Sequence, residues 1–267
     1  MKIIRHLTPA GPAHAALQPD GSARAIEGDI LGDFRATDRV VQLGKLLAPL
    51  EPTNIICIGL NYKLHAAESG KDAPQWPVVF MKNSSALLSP GDAIEIPVKN
   101  ASTMVDFEAE LVVVIGKRGK NIAKADALNY VLGYTCGNDV SARDWQRTFG
   151  GGQWCQGKGF DTFCPLGPVL VTRDEIPDPQ NLRVRALLNG ETMQDQNTKE
   201  MIFSVATLIE FLSASKTLVP GTIIMTGTPH GVGFARTPPV YLKAGDTITV
   251  DIEKIGVLTN PVINEPV

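Results

Sequence analysis

The stretch VDFEAELVVVIGK, residues 105–117, decides the reading of this chain. Its second half is an unbroken apolar run of strand-forming residues, the pattern of a strand buried on both faces. Its first half carries Asp106, Glu108 and Glu110 at every second position. In a strand those three side chains share one face, opposite Phe107, Ala109 and Leu111. Like charges so close to a core repel one another and are costly to bury unpaired. Either that end of the strand lies in water, or something positive sits there.

The rest of the chain frames this strand. There are 267 residues, 43% hydrophobic and 20% charged, with a net charge of -3. That length can build a sizeable core. The charge balance offers no footprint for nucleic acid, and no apolar run approaches a membrane span. The N-terminal residues lack the features of a secretory or transit segment, so the expected location is cytoplasmic. Cys57, Cys136, Cys155 and Cys164 fit no zinc or redox spacing and read as structural thiols.

Gly and Pro are spread between short apolar runs, which predicts many short strands and a fold of the α+β class. Residues 1–50 read as a small N-terminal domain of hairpins with one short helix, and 51–267 as a second, catalytic domain. Segments 55–60, 77–82, 110–116 and 167–172 read as buried strands, and KADALNYVLG (124–133) as a short helix. Asn189-Gly190 marks a hairpin, and Ser204 caps an amphipathic helix.

Four further segments carry chemistry. Hard oxygen ligands such as the acidic strand offers suit Mg²⁺, Mn²⁺ or Ca²⁺ rather than zinc. GYTCGNDVSARDWQ (133–146) supplies Asp139 and Arg143, either a helical ion pair or a metal ligand followed by an anion-binding cation, with Gln146 beyond. In IGLNYKLHAAESGK (58–71), His65 and Glu68 stand at i,i+3, where a carboxylate can orient an imidazole as a general base. GGGQWCQGKGFDTF (150–163) mimics a phosphate loop, but Gly159 stands where Ser or Thr is needed after Lys158, so nucleotide binding is rejected. TGTPHGVG (226–233) offers hydroxyl and amide donors as a carboxylate cradle, with His230 at its rim.

Taken in order, IGLNYKLHAAE, VDFEAELVVVIGK, NDVSARDWQ, GKGFDTFCPLGP, TGTPHGVG and LKAGDTITVDIEKIG resemble the fumarylacetoacetate hydrolase superfamily, over about residues 50–262. The resemblance is strongest to its domain-containing protein 2 branch. It implies a strand-rich mixed β-sandwich roll with a small N-terminal domain, assembled as a homodimer. It implies Mg²⁺ or Mn²⁺ held by Glu108, Glu110 and Asp139, a site that can also take Ca²⁺, with Asp106 outside the ligand set. His65 and Glu68 match the pair that activates water, with Lys158 as the third catalytic residue. Arg143, Gln146, Gly227 and Thr228 match positions that contact a small anionic 2-oxo acid.

The reaction expected first is hydrolysis of a C–C bond in 2,4-dioxo acids of the acylpyruvate type, through a stabilised enolate. Keto–enol tautomerisation or decarboxylation of oxaloacetate is the alternative, since both share that intermediate. A catalytically silent metal- or carboxylate-binding protein is the alternative of another class.

Overall fold

The computed structural model describes residues 1–266. Its spine is a large sheet. The chain begins with a meander of β1 (Lys2–Thr8), β2 (Gly11–Leu17), β3 (Ala23–Gly28) and β4 (Phe34–Val40). It continues with β5 (Asn54–Gly59), β6 (Val78–Lys82), β7 (Ala109–Ile115), β8 (Val131–Asn138), β9 (Cys164–Thr172) and β10 (Thr222–Met225). The spatial order is β4-β3-β2-β1-β9-β8-β7-β10-β5-β6. The N-terminal meander therefore continues the same sheet, joined where Lys2 and Ile3 pair with Val171 and Leu170.

A second sheet is built from Glu191–Asn197, Arg183–Leu188, Thr247–Ile252, Gly256–Asn264 and Ile94–Ile96, in that spatial order. It stacks on β7, β8 and β9, so those central strands are covered on both faces. Every residue of β7 is buried, as its apolar run Leu111–Ile115 demands, and Glu110 is buried with them. The expected strand-rich α+β roll is what forms.

Local signals explain most elements. Asn189 and Gly190 both adopt positive φ, 53° and 84°, the geometry of a tight two-residue hairpin. The helix Val205–Ser213 starts at Ser204, whose side chain accepts the Thr207 amide as an N-cap. Two expectations need correction. Residues 1–49 contain no helix: the 38–50 segment is extended, with Val40 paired to Arg24 of β3 and Leu46 and Leu47 paired to His6 and Arg5 of β1, so sheet pairing overrides its helical spacing. Residues 124–130 form a 3₁₀ turn, and Val131 already begins β8, whose β-branched and aromatic residues prefer the sheet.

The acidic strand also departs from the expected pattern. Pairing breaks at Phe107 and Glu108, between the short strand Val105–Asp106 and β7. Asp106, Glu108 and Glu110 are all buried, so the strand end does not lie in water.

Candidate active site

The site sits at the N-terminal end of β7, where β8 and β10 run antiparallel beside it. Glu110 lies inside the paired strand, opposite Gly137. Glu108 is just before it, its amide bonded to Asn138 Oδ1. Asp139 follows the last residue of β8, and its amide donates to the Glu108 carbonyl. These rigid anchors bring Glu108, Glu110 and Asp139 together, with one carboxylate oxygen of each within 4.8 Å of the others.

Something positive does sit there. Lys158 reaches in from the short helix Cys155–Lys158, its Nζ 2.8 Å from Glu108 Oε2 and 2.7 Å from Asp139 Oδ2. Arg143 Nη2 lies 2.6 Å from Glu108 Oε1 and 2.8 Å from Asp106 Oδ2. Arg143 Nη1 donates to Gln146 Oε1. Asp106 is spent on structure: besides Arg143, it accepts the amides of Phe107, Gly233 and Phe234. It thus lies outside the carboxylate triad. Arg143 and Asp139 do not form an i,i+4 helical pair, because the chain between them turns in extended conformation.

Sequence reasoning passed over Lys82, read only as the end of a strand. It is fully buried, with its Nζ bonded to the carbonyls of Val140 and Lys158 and 2.7 Å from Asp139 Oδ1. A lysine closing the apolar run PVVFM was the available signal, since a buried ammonium needs a buried anion.

Four buried carboxylates, those of Asp106, Glu108, Glu110 and Asp139, therefore face three buried cations, those of Lys82, Arg143 and Lys158. The imbalance falls on Glu110. Burial, then the negative Asp139 and Glu108, push its carboxyl well above the ordinary range. Glu108 goes the other way: burial opposes its charge, but Lys158 and Arg143 outweigh that and hold it below the ordinary range. Asp139 Oδ1 has the Lys82 charge beside it but no donor aligned to bond it. An oxygen-only donor set, one orphaned oxygen and one surplus negative charge fit a hard divalent cation.

The loop 226–233 closes over the triad. The Gly227 amide donates to Glu110 Oε2 at 2.8 Å, so the expected carboxylate cradle holds a carboxylate of the protein itself. Gly227 has φ +97°, and a Cβ there would stand 2.6 Å from Asn61 Cβ, so only glycine fits. Thr228 Oγ1 donates to the Ala109 carbonyl and accepts from Gln194. His65 and Glu68, on the helix Lys63–Glu68, are joined by a 2.7 Å bond from Nδ1 to Oε1. His230 stays at the margin, with its Nδ1 buried and unbonded.

One cavity of about 70 Å³ is lined by His65, Glu108, Glu110, Arg143, Gln146, Lys158 and Thr228. That is room for on the order of five waters, or one small acid. All expected site residues converge on this region, with Glu68 and Gly227 one bond behind the cavity wall and Asp139 beneath Lys158. The four cysteines stay free, three buried and Cys155 exposed.

The strand-rich roll thus carries a buried triad of oxygen donors, able to hold a metal ion, beside a histidine–carboxylate pair. Residues 54–263 match the fumarylacetoacetate (FAA) hydrolase C-terminal family model, and residues 1–49 match the Rv2993c-like N-terminal model. The chain belongs to the fumarylacetoacetate hydrolase family. It is 51% identical over 219 residues to oxaloacetate tautomerase fahd2, mitochondrial, of Xenopus laevis, covering 82% of this chain and 68% of that one. It is 52% identical over 227 residues to the fumarylacetoacetate hydrolase domain-containing protein 2 homolog of Dictyostelium discoideum, covering 82% and 74%. Its fold matches the crystal structure of 5-carboxymethyl-2-hydroxymuconate delta-isomerase from Mycobacterium smegmatis with a TM-score of 0.86, at 39% identity, covering 99% of this chain and all of that one.

These names reorder the expected reactions. An enzyme of this family stands, and the alternative, oxaloacetate tautomerisation, has better support than the hydrolysis placed first. Among the described residues no helix is long and apolar enough to cross a membrane. The frog relative is named as mitochondrial, so a cytoplasmic location draws no support from it.

Proposed function

We propose that this chain is a divalent-metal-dependent oxaloacetate tautomerase, using Mg²⁺ or Mn²⁺ held by Glu108, Glu110 and Asp139. The observation that carries the proposal is the shared cavity, which sets the His65 imidazole beside the acidic triad and two buried cations. The tautomerase names of relatives about half identical in sequence select the reaction.

The bound ion would supply Lewis-acid polarisation of the substrate's 2-oxo group. The protein's own residues do the rest. Glu68 accepts the Nδ1 proton of His65, which leaves Nε2 as the ring nitrogen free to act on substrate. His65 Nε2 takes the proton from C3 as the C2=C3 double bond forms and delivers it to the 2-oxo oxygen, giving the enol; in the reverse direction it takes the enol O–H proton and delivers it to C3. Lys158 spends two of its three N–H donors on Glu108 and Asp139, leaving one for the substrate oxygen that gains charge. Gln146, held by Arg143 through its carbonyl oxygen, keeps its amide hydrogens for the substrate carboxylate. Gly227 and Thr228 fix the wall behind Glu110.

We also assign catalysis to residues 51–267, with residues 1–50 as a small accompanying domain, because the two family matches divide between 49 and 54. Assembly as a homodimer is supported by the outermost strand of the large sheet, β6, which exposes Val79 and Met81.

The test is a paired ultraviolet assay with Mg²⁺ on enol-oxaloacetate and on acetylpyruvate. The proposal requires faster loss of the oxaloacetate enol band with no pyruvate released. Hydrolysis of acylpyruvates is the second reading, favoured by the family's own name. It wins if acetylpyruvate yields pyruvate and enol-oxaloacetate decays at its spontaneous rate.

A further inference from the structure

The cations of the cavity are not equally committed. Arg143 bonds Asp106, Glu108 and Gln146 through Nε, Nη2 and Nη1. Lys158 is shared between Glu108 and Asp139. Arg147 also lines the cavity, yet among the described residues it meets no carboxylate at ion-pair distance. It lies in the single turn Trp145–Phe149, and its guanidinium stands 3.9 Å from the centre of the Phe234 ring. Arg143 stands 4.5 Å from the centre of the same ring. Phe234 is itself pinned, its amide donating to Asp106 Oδ2 at 3.1 Å. Arg147 is exposed at the cavity rim, where desolvation and then the neighbouring Arg143 pull its guanidinium below its usual range.

The charges of the cluster say which anion is missing. Four carboxylates against three cations leave one negative charge, and a divalent ion turns this into one positive. That matches a single substrate carboxylate. A substrate with two carboxylates brings a second negative charge, which the inner cluster does not balance. We infer that Arg147 receives the far carboxylate of a dicarboxylic 2-oxo acid and makes the site prefer such acids over monocarboxylic ones. This rests on the reading that a 2-oxo acid occupies this cavity. Lys71 is the other uncommitted cation on the cavity wall, its ammonium 5.6 Å from the centre of the Trp154 ring. A guanidinium fork matches both oxygens of a carboxylate, and a point ammonium does not.

The test uses malate and lactate, which differ in the far carboxylate and do not tautomerise. Calorimetric titration of the Mg²⁺-loaded full chain is expected to show malate binding about tenfold tighter than lactate, the value of one charge-assisted contact. In Arg147→Gln the two affinities converge to within about twofold through loss of malate binding, and Arg147→Lys recovers part. In the kinetic arm, Arg147→Gln raises KM for enol-oxaloacetate about tenfold with kcat little changed. An unaltered malate preference in Arg147→Gln overturns the inference. So does its loss in Lys71→Gln instead, or its absence from the wild type. A malate preference that depends on Arg147, in a protein that does not turn over oxaloacetate, would overturn the tautomerase reading and keep the assignment of Arg147.

Discussion

Glu68 binds His65 through Oε1 and the backbone amide of Gly231 through Oε2, at 2.7 and 2.8 Å. One carboxylate thereby ties the His65 imidazole, the proposed proton carrier, to the loop that closes over the acidic triad. Glu68→Gln keeps the shape but weakens the pull on the Nδ1 proton. We expect kcat for enol-oxaloacetate to fall roughly tenfold to a hundredfold with KM little changed. Steady-state kinetics across pH checks this, because a merely structural loss would leave the shape of the profile intact.

Lys82 compensates Asp139 in a fully buried setting. Lys82→Met leaves four buried carboxylates facing two cations, and breaking a buried pair costs about 3 kcal/mol or more. The variant should melt well below the wild type in metal-free buffer. Adding Mg²⁺ should restore more of its Tm than it adds to the wild type, since the ion replaces part of the missing charge. Equal gains in both proteins would show that Lys82 and the ion do not share a carboxylate.

The raised carboxyl of Glu110 gives a pH dependence with a definite sign. The folded state holds that proton more tightly than the unfolded chain does. The stabilisation is fully present below the ordinary value of 4.5 and is lost as pH rises through the raised one. A divalent ion competes with the same proton, so its Tm gain should be larger at about pH 8 than at about pH 5.5. Glu110→Gln should remove both the slope and most of the Mg²⁺ response in a thermal-shift titration.

Gly227→Ala tests the cradle. The added Cβ meets Asn61 in a backbone conformation that suits glycine alone. The Glu110 contact at Gly227 should loosen, lowering Tm and weakening Mg²⁺ binding together. A fall in Tm with unaltered Mg²⁺ affinity would detach the loop from the site.

The acidic strand shows how much the sequence carried. VDFEAELVVVIGK announced both a buried strand and a concentration of carboxylates, because apolar continuity and charge spacing are local properties. What it could not show is that pairing breaks at Phe107 and Glu108, which sends Asp106 to Arg143 and to the amides of Gly233 and Phe234. That detail depends on residues 37 to 128 positions away. Lys82 and Arg147 were missed for the same reason. A lysine ending a strand or an arginine after Gln146 takes its meaning from Asp139 or Phe234, which only the fold brings near. Arg143, expected to meet substrate, lines the cavity, and the fold also bonds it to Asp106, Glu108 and Gln146, partners its own segment did not announce. The helix expected before residue 50 failed because a helical stripe and an extended segment are hard to separate over so short a run.

The most direct test of the central claim measures enol-oxaloacetate decay against divalent-ion occupancy. Chelated protein is titrated with Mn²⁺ while bound ion is followed by electron paramagnetic resonance and the enol band by absorbance. The account predicts a rate that rises in proportion to one ion bound per chain, without pyruvate release, and no binding or acceleration in Asp139→Ala. Full acceleration by the chelated wild type, or ion binding that leaves the rate at its spontaneous value, would contradict it.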